Sequence, residues 1–526
     1  TTKNNSHAPM NKPLRTSFNF LSLILLGLIA VSGPLVAAET NARSKARLSI
    51  TAKQLQTHIE ILADDTFEGR AAGSRGGQAA AVYLVKQFQQ IGLAGGAEEG
   101  KFYQTFAKNS RNILALLPGS DPKLKDEVIV VGAHYDHVGY GKRNNSYGPL
   151  GYIHNGADDN ASGVAGLLEL AEALKQLPSA PKRSILIALW DGEEQGMHGS
   201  KHWVKEPTVP LKQVKFMINV DMIGRLRENQ MEIIGSRTSR GLRKWLSEQN
   251  SEAQLKFKFL WVLKADSDHH SFFKQQIPVL MLHTGLHDNY HRPSDDADKI
   301  NSAGLEQISR YLFTLTMDLS NRDQVTAFRE QSAKESKKDR RRFEAALDTP
   351  RPRLGVSWTD HDSESGAIIV SRVRYKSPAD TAGLKAQDRL LKFNGQVITD
   401  DENFIKLVSE VSRQAAITIS REGEEEALTL PVTFPDQALP LGMIWRSDPA
   451  EPESVTLVHV AEDSPAAQAG LQVGDRLLQL GDHPVRESSE LETFLQTVSQ
   501  DLAVEYERQG QIKKLQITVP PKKKAG

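Results

Sequence analysis

The chain has 526 residues, 39% hydrophobic and 25% charged, with 65 basic and 65 acidic side chains that cancel. That length corresponds to about three domains, and the composition excludes collagen-like, mucin-like and wholly disordered chains. The balanced charge gives no basic excess to bind nucleic acid. Cysteine is absent, which excludes disulfide scaffolds, thiolate zinc sites, cysteine nucleophiles and a lipoprotein anchor; any metal must be held by His, Asp and Glu.

Residues 18–31, FNFLSLILLGLIAV, form the one long apolar run, with Lys12 and Arg15 before it and Val36-Ala37-Ala38 after it. This layout predicts a signal peptide over 10–38, with Met10 as the start and cleavage after Ala38. The run is short for the ~20 residues of a membrane span. A periplasmic or secreted mature protein is therefore expected, with no stable membrane anchor after cleavage.

Between 39 and 325 strand-like and helix-like segments alternate, as in an α/β domain. Glu127–Ala133, Ser184–Trp190, Lys215–Val220 and Ile277–Leu282 are short, nearly unbroken apolar runs rich in Val and Ile, the pattern of strands buried on both faces. Between the first two, apolar residues at 164, 167, 168, 171 and 174 stripe one face of a predicted helix over 161–177. Residues 326–352 contain KESKKDRRR at 334–342, too charged to pack, and predict a solvated helix or linker.

Beyond lies a repeat. Ser377-Pro378-Ala379…Ala382-Gly383-Leu384 returns 87 residues later as Ser464-Pro465-Ala466…Ala469-Gly470-Leu471. Asp388-Arg389-Leu390-Leu391 and Leu354-Gly355-Val356 return at the same offset as Asp475-Arg476-Leu477-Leu478 and Leu441-Gly442-Met443. One fixed offset means two copies of one small domain, placed at 353–435 and 440–520.

The predicted strands run into polar residues at or beyond their C-terminal ends: His134-Tyr135-Asp136, Asp191-Gly192-Glu193-Glu194, Asp221, and, further on, Tyr290-His291-Arg292-Pro293-Ser294-Asp295. Asp158-Asp159-Asn160 opens the intervening helix. Ligands of open α/β sheets bind beyond the carboxyl ends of strands, so these side chains should converge, and two His with several carboxylates suit zinc or a similar divalent ion. Taken singly each has a bland reading: a surface His–Asp pair, a solvated Glu–Glu, a helix cap at Asp158. The joint pattern favours a metal site.

These segments, with Gly156-Ala157-Asp158-Asp159-Asn160-Ala161-Ser162-Gly163, Asn219-Val220-Asp221-Met222 and the upstream Glu68-Gly69-Arg70-Ala71-Ala72-Gly73-Ser74, resemble metallopeptidase family 28, the family of bacterial leucyl aminopeptidases, over about 50–320. The repeat resembles PDZ domains of the periplasmic protease type. The resemblance implies an α/β fold with a mixed, largely parallel central sheet flanked by helices, followed by two β-rich PDZ domains. It implies two Zn2+ ions bridged by Asp158, one completed by Glu194 and His291 and the other by His134 and Asp221. It also implies Glu193 as the general base, Asp136 bonded to the His134 imidazole, and a cis peptide between Asp158 and Asp159. His137, His154, His198, His269, His270, His283 and His287 are not carried as ligands, and Ser267-Asp268-His269 reads as a helix cap before a pocket lining.

The expected function is removal of N-terminal residues from peptides with a free N-terminus, with peptide C-termini as possible guests of the PDZ grooves. Three rivals stand beside it. Family 20 carboxypeptidases and dipeptidases usually insert a lid domain late in the motif series, for which the 70-residue offset from Asp221 to His291 leaves no room. A glutaminyl cyclase of the same fold is not favoured by the PDZ pair or the signal. A catalytically inactive PDZ binding protein is disfavoured because every metal and base position is filled.

Overall fold

The apolar runs become the middle of one sheet. The computed structural model describes residues 40–519 apart from 108, 348–352, 360–367, 412–413, 435–439 and 487, so the signal peptide expected over 10–38 lies outside the described residues. The sheet contains β1 (Ala94–Gly95), β2 (Tyr103–Ala107), β3 (Ser110–Leu117), β4 (Val128–His134), β5 (Ser184–Trp190), β6 (Val214–Val220), β7 (Gln230–Ile234), β8 (Lys256–Leu260) and β9 (Val279–His283). Its order is β1-β3-β5-β4-β6-β9-β7-β8, with β2 beside β3.

The central run β5-β4-β6-β9 is parallel, as is the pair β7-β8; β3 joins β5, and β7 joins β9, antiparallel. Every residue of β4, β5 and β9 is buried, which explains why their sequences lack the alternation of a half-exposed strand. Helices Ala52–Leu62, Gly163–Lys175 and Ser302–Asn321 pack their apolar faces together with the sheet in one core. A second cluster, with Trp190, Trp203 and Phe272, packs from the short helices His198–Lys205 and Ala-free His269–Phe273.

Both repeat copies fold as five-stranded antiparallel sheets with a short sixth strand, and their cores are separate. The sequence offset persists in space: helices open at Pro378 and Pro465, and strands at Arg389 and Arg476. In each copy a buried aspartate takes a bidentate arginine, Asp388 with Arg421 and Asp475 with Arg508.

The charged segment is a helix over Lys337–Glu344, opened by a capping box at Ser336 and Asp339. It packs more than its composition predicts. Phe343 stacks on Trp261, and Glu344 accepts a hydrogen bond from Arg476 of the second repeat copy. Just before the helix, Glu335 takes both arms of Arg237, whose other face holds Asp448 of that copy. The expected linker is part of a joint, because its carboxylates are needed as counter-ions for buried arginines.

Candidate active site

Because β4, β5, β6 and β9 run parallel, their carboxyl ends open on the same edge of the sheet. His134 closes β4; Asp191-Gly192-Glu193-Glu194 follows β5; Asp221 follows β6; the loop after β9 carries His291. Tight turns aim these groups. Gly192 has φ 71°, His291 φ 51°, and Gly156, before the Asp158-Asp159 pair, φ 57°, all in the left-handed region.

Two donor clusters result. His134, Asp159 and Asp221 form one; His137, Asp159, Glu194 and His291 form the other. Asp159 is common to both, and its two oxygens divide between them. Oδ1 lies 3.4 Å from His134 Nε2, and Oδ2 lies 3.1 Å from His291 Nε2. His134 Nε2 is 3.3 Å from Asp221 Oδ1, and His291 Nε2 is 3.1 Å from Glu194 Oε2. Donors on a tetrahedral zinc at 2.0–2.1 Å lie about 3.3 Å apart, so the spacing fits a shared cation on each side. His291 Nε2 is buried without a hydrogen-bond partner while facing two carboxylate oxygens, the position of an atom that bonds to an ion. The donors are hard oxygens and imidazoles, a set that suits zinc.

The sequence-based assignment therefore needs a correction. Of the five expected ligands, His134, Glu194, Asp221 and His291 converge, but Asp158 does not join them. Its Oδ1 accepts hydrogen bonds from the Gly224 N–H at 2.6 Å and the Ser162 hydroxyl at 3.0 Å, and its Oδ2 faces His287 at 3.1 Å. Asp158 ties the turn to the loop after β6, and its neighbour Asp159 faces the two donor clusters. The cis peptide also falls one residue later than expected, between Asp159 and Asn160.

A second correction concerns Asp136. His134 Nδ1 lies 3.2 Å from the Asp136 backbone carbonyl but 3.9 Å from its carboxylate. The carboxylate instead accepts the Glu193 backbone N–H at 3.0 Å. It therefore positions the Glu193-Glu194 turn, and the main chain holds the imidazole.

Several supports lie in the quoted segments, but nothing in the sequence says what they hold. Asp295 Oδ2 accepts the backbone N–H groups of both Asp158 and Asp159, at 3.0 and 3.1 Å. Asn160 accepts from Gly163 and Met222 and donates to the Val220 carbonyl, fixing the same turn against β6. Ser267 donates to Asp221 Oδ2 at 2.6 Å, whereas Asp268 makes no side-chain cap to the helix that follows, so the expected cap is a carboxylate anchor. Arg70, 1% exposed, donates to the carbonyls of Leu62, Tyr135, Asn155 and Gly156, binding the loops around the site. Burial lowers its guanidinium to about 10, opposed by Asp159, Asp295, Asp136 and Glu194.

The acids respond differently to the same pocket. Burial pushes Glu193 well above the usual carboxylate range, helped by Asp268, Glu194 and Asp221 and opposed by His134. Burial acts on Glu194 too, but its hydrogen bond with His137 and the facing His291 imidazole outweigh it and hold that carboxyl well below its usual range. Adjacent glutamates are thus split, one raised by burial and the other lowered by its imidazole neighbours.

Residues 112–316 match peptidase family M28, and residues 352–432 and 441–519 each match the PDZ domain. The chain is 27% identical over 209 residues to aminopeptidase YwaD of Bacillus subtilis, covering 38% of this chain and 42% of that protein. It is 27% identical over 198 residues to leupeptin-inactivating enzyme 1 of Streptomyces exfoliatus (37% and 41%). With leucine aminopeptidase 1 of Trichophyton rubrum it shares 34% identity over 160 residues (29% and 40%). The chain spans about two fifths of the length of these curated relatives. Among solved structures it resembles the Legionella pneumophila LapA aminopeptidase, with TM-score 0.45 and 22% identity over 54% of this chain and 75% of that one. It also resembles the zinc aminopeptidase BSAP of Bacillus subtilis, with TM-score 0.42 and 15% identity over 53% and 98%.

Proposed function

The chain carries a peptidase family M28 domain followed by two PDZ domains, and from that premise we propose that it is a di-zinc aminopeptidase acting on peptides with a free N-terminus. The observation that carries this reading is Asp159, whose two oxygens serve two clusters of His and carboxylate donors. His134 and Asp221 would hold one ion, and Glu194 and His291 the other. Zinc bound there would polarise the scissile carbonyl and acidify a water molecule.

The chain's own residues supply the rest. Glu193 binds no ion in this scheme; its raised proton affinity suits it to accept the water proton and return it to the leaving amine nitrogen. Asp136 keeps Glu193 in register through its backbone N–H, and Ser267 fixes the Asp221 carboxylate. Such anchors maintain ligand geometry. The names of the relatives, aminopeptidase YwaD and leucine aminopeptidase 1, support an exopeptidase that starts from the N-terminus. The signal-like run at 18–31 supports action outside the cytoplasm, and the PDZ grooves are candidate sites for peptide C-termini.

The test is hydrolysis of leucyl-p-nitroanilide by the zinc-loaded protein beside the N-acetylated analogue. The free-amine substrate should be cleaved, the blocked one not, and a chelator should abolish the activity. Cleavage of the blocked substrate alone would assign the site to a different peptidase class.

A further inference from the structure

The two donor clusters are unequal, and His137 is the reason. We propose that His137 is a fourth protein ligand, through Nδ1, of the ion held by Asp159, Glu194 and His291, making one metal position four-coordinate in protein and leaving three protein ligands at the other. This rests on the two-ion reading of the site.

His137 Nδ1 lies 2.7 Å from Glu194 Oε1 and 3.7 Å from Asp159 Oδ2. It thus faces the same two carboxylates as His291, whose Nε2 is 3.1 Å from each. These spacings bracket the roughly 3.3 Å edge of a zinc tetrahedron with 2.0–2.1 Å bonds. The ring is 1% exposed and stands edge-on to His291, with centroids 5.5 Å apart. The residue is also held from behind: its backbone N–H donates to the Arg70 carbonyl, and a side chain at Gly156 would overlap the imidazole. The seat exists because that turn carries a glycine.

The alternative is a histidine that only hydrogen-bonds Glu194. That role needs one short contact and does not require Nδ1 to face Asp159 as well. The formal charges of the two clusters are alike, one private carboxylate each plus the shared Asp159, so the extra neutral donor decides their ranking. Closed sites with four protein ligands hold zinc structurally, whereas sites with three keep a position for water or substrate. The His137 position should therefore fill first and empty last, and the His134–Asp221 position should be the exchangeable one.

The experiment uses the full chain, stripped of metal, and reads binding without hydrolysis. Zinc affinities are measured by competition with a chromophoric chelator, and the first equivalent of cobalt(II) is read by its visible absorption, for wild type, His137→Ala and His137→Gln. Wild type should bind two ions with separated affinities and give the intense cobalt bands of a four-coordinate site. His137→Ala should weaken the tighter ion by at least about 10–100-fold, the cost of disturbing a ligand's surroundings alone, and added imidazole should restore the bands. The Gln variant retains a hydrogen-bond donor for Glu194 and keeps the proposal testable if the Ala variant unfolds; it should show the same loss. Unchanged affinity and absorption in a folded variant overturn the proposal and leave His137 as a partner of Glu194. Graded binding in a wild type that cleaves no peptide would sink the aminopeptidase reading while sparing His137; a wild type that binds no zinc overturns both.

Discussion

The two ends of the nine-stranded sheet handle buried charge in opposite ways. At the carboxyl ends of β4, β5, β6 and β9, carboxylates crowd around imidazoles, and His291 Nε2 and Asp158 Oδ2 are buried without hydrogen-bond partners. At the other end, reached by β7 because it runs antiparallel to β9, Arg237 lies between Glu335 and Asp448 with bonds of 2.6–2.9 Å, its guanidinium 3.6 Å from the Trp261 ring centroid. Nearby, Glu451 accepts the backbone N–H groups of Arg243 and Lys244, and Glu507 takes the Arg243 side chain. Compensated charge builds a joint, and uncompensated charge marks a binding site.

The joint also separates the two PDZ copies. The second is fastened to the α/β domain: Gln509 accepts the N–H of Phe257 on edge strand β8, and the Gly510 carbonyl accepts the Asn250 amide. Covering an edge strand in this way blocks stray strand pairing. The first copy has Ser420 where the second has Glu507, and among the described residues an ion pair from Lys406 to Asp463 ties it to its twin. The second copy is therefore packed into the α/β domain, and removing it would strip Arg243, Asn250 and Phe257 of these partners.

The largest contrast between the ends should appear in turnover. Glu193→Gln should lower kcat by about 10²–10⁴-fold, the usual worth of a general base, with zinc content by elemental analysis unchanged. A matching loss of zinc would place Glu193 among the ligands. At the joint, Asp448→Ala should destabilise by ~3–5 kcal/mol, the cost of stranding a buried partner, read as a lower urea midpoint with zinc content intact.

The same carboxylate gives a pH signature. Burial opposes its ionisation, but Arg237 and Arg476 hold Asp448 down to about 2, against about 3.9 unfolded. A depressed carboxylate stabilises fully above its unfolded value, so this contribution should persist above about pH 4 and fade towards pH 2. Glu451, which burial pushes up to about 7, works oppositely, weakening the joint as pH rises from about 4 to 7. The difference between wild type and Asp448→Asn isolates the first effect, and a difference that does not change between pH 4 and 2 would remove Asp448 from the account.

The smallest effect sharpens the PDZ comparison. Gly355 and Gly442 both have φ 82°, and a side chain at either would overlap Ser377 or Ser464. Alanine at each should cost about 1–3 kcal/mol locally. By calorimetry, Gly442→Ala should lower the melting of the α/β domain, and Gly355→Ala only a separate transition. Equal effects on the α/β domain would mean that both copies are fastened alike.

Much of this was legible in sequence. Strands buried on both faces announce themselves as unbroken apolar runs, and Ser184–Trp190 has the same bounds in structure as in the reading. The repeat was legible because its turn residues recur at one spacing. Neighbouring residues in a turn were not separable. Asp158 and Asp159 are chemically identical, and what divides them is a backbone path set by Gly156 in the same turn, by Asp295 from the loop after β9 and by the bond of Asn160 to Val220 of β6. His137 escaped for the same reason: three residues past the end of β4, strand periodicity no longer says where a side chain points. The charged run is solvated as it reads, its Lys and Arg exposed; the joint escaped because Glu335 and Glu344 at its edges pair with Arg237 and Arg476 from distant elements.

The most direct test of the central claim compares the metal content of Asp158→Asn and Asp159→Asn after equal dialysis against a weak chelator. Asp159→Asn should lose zinc from both positions, because one carboxylate serves both, while Asp158→Asn should retain two ions and lose at most about 10–100-fold in activity through its effect on the turn. Two ions retained in Asp159→Asn and lost in Asp158→Asn would contradict the account.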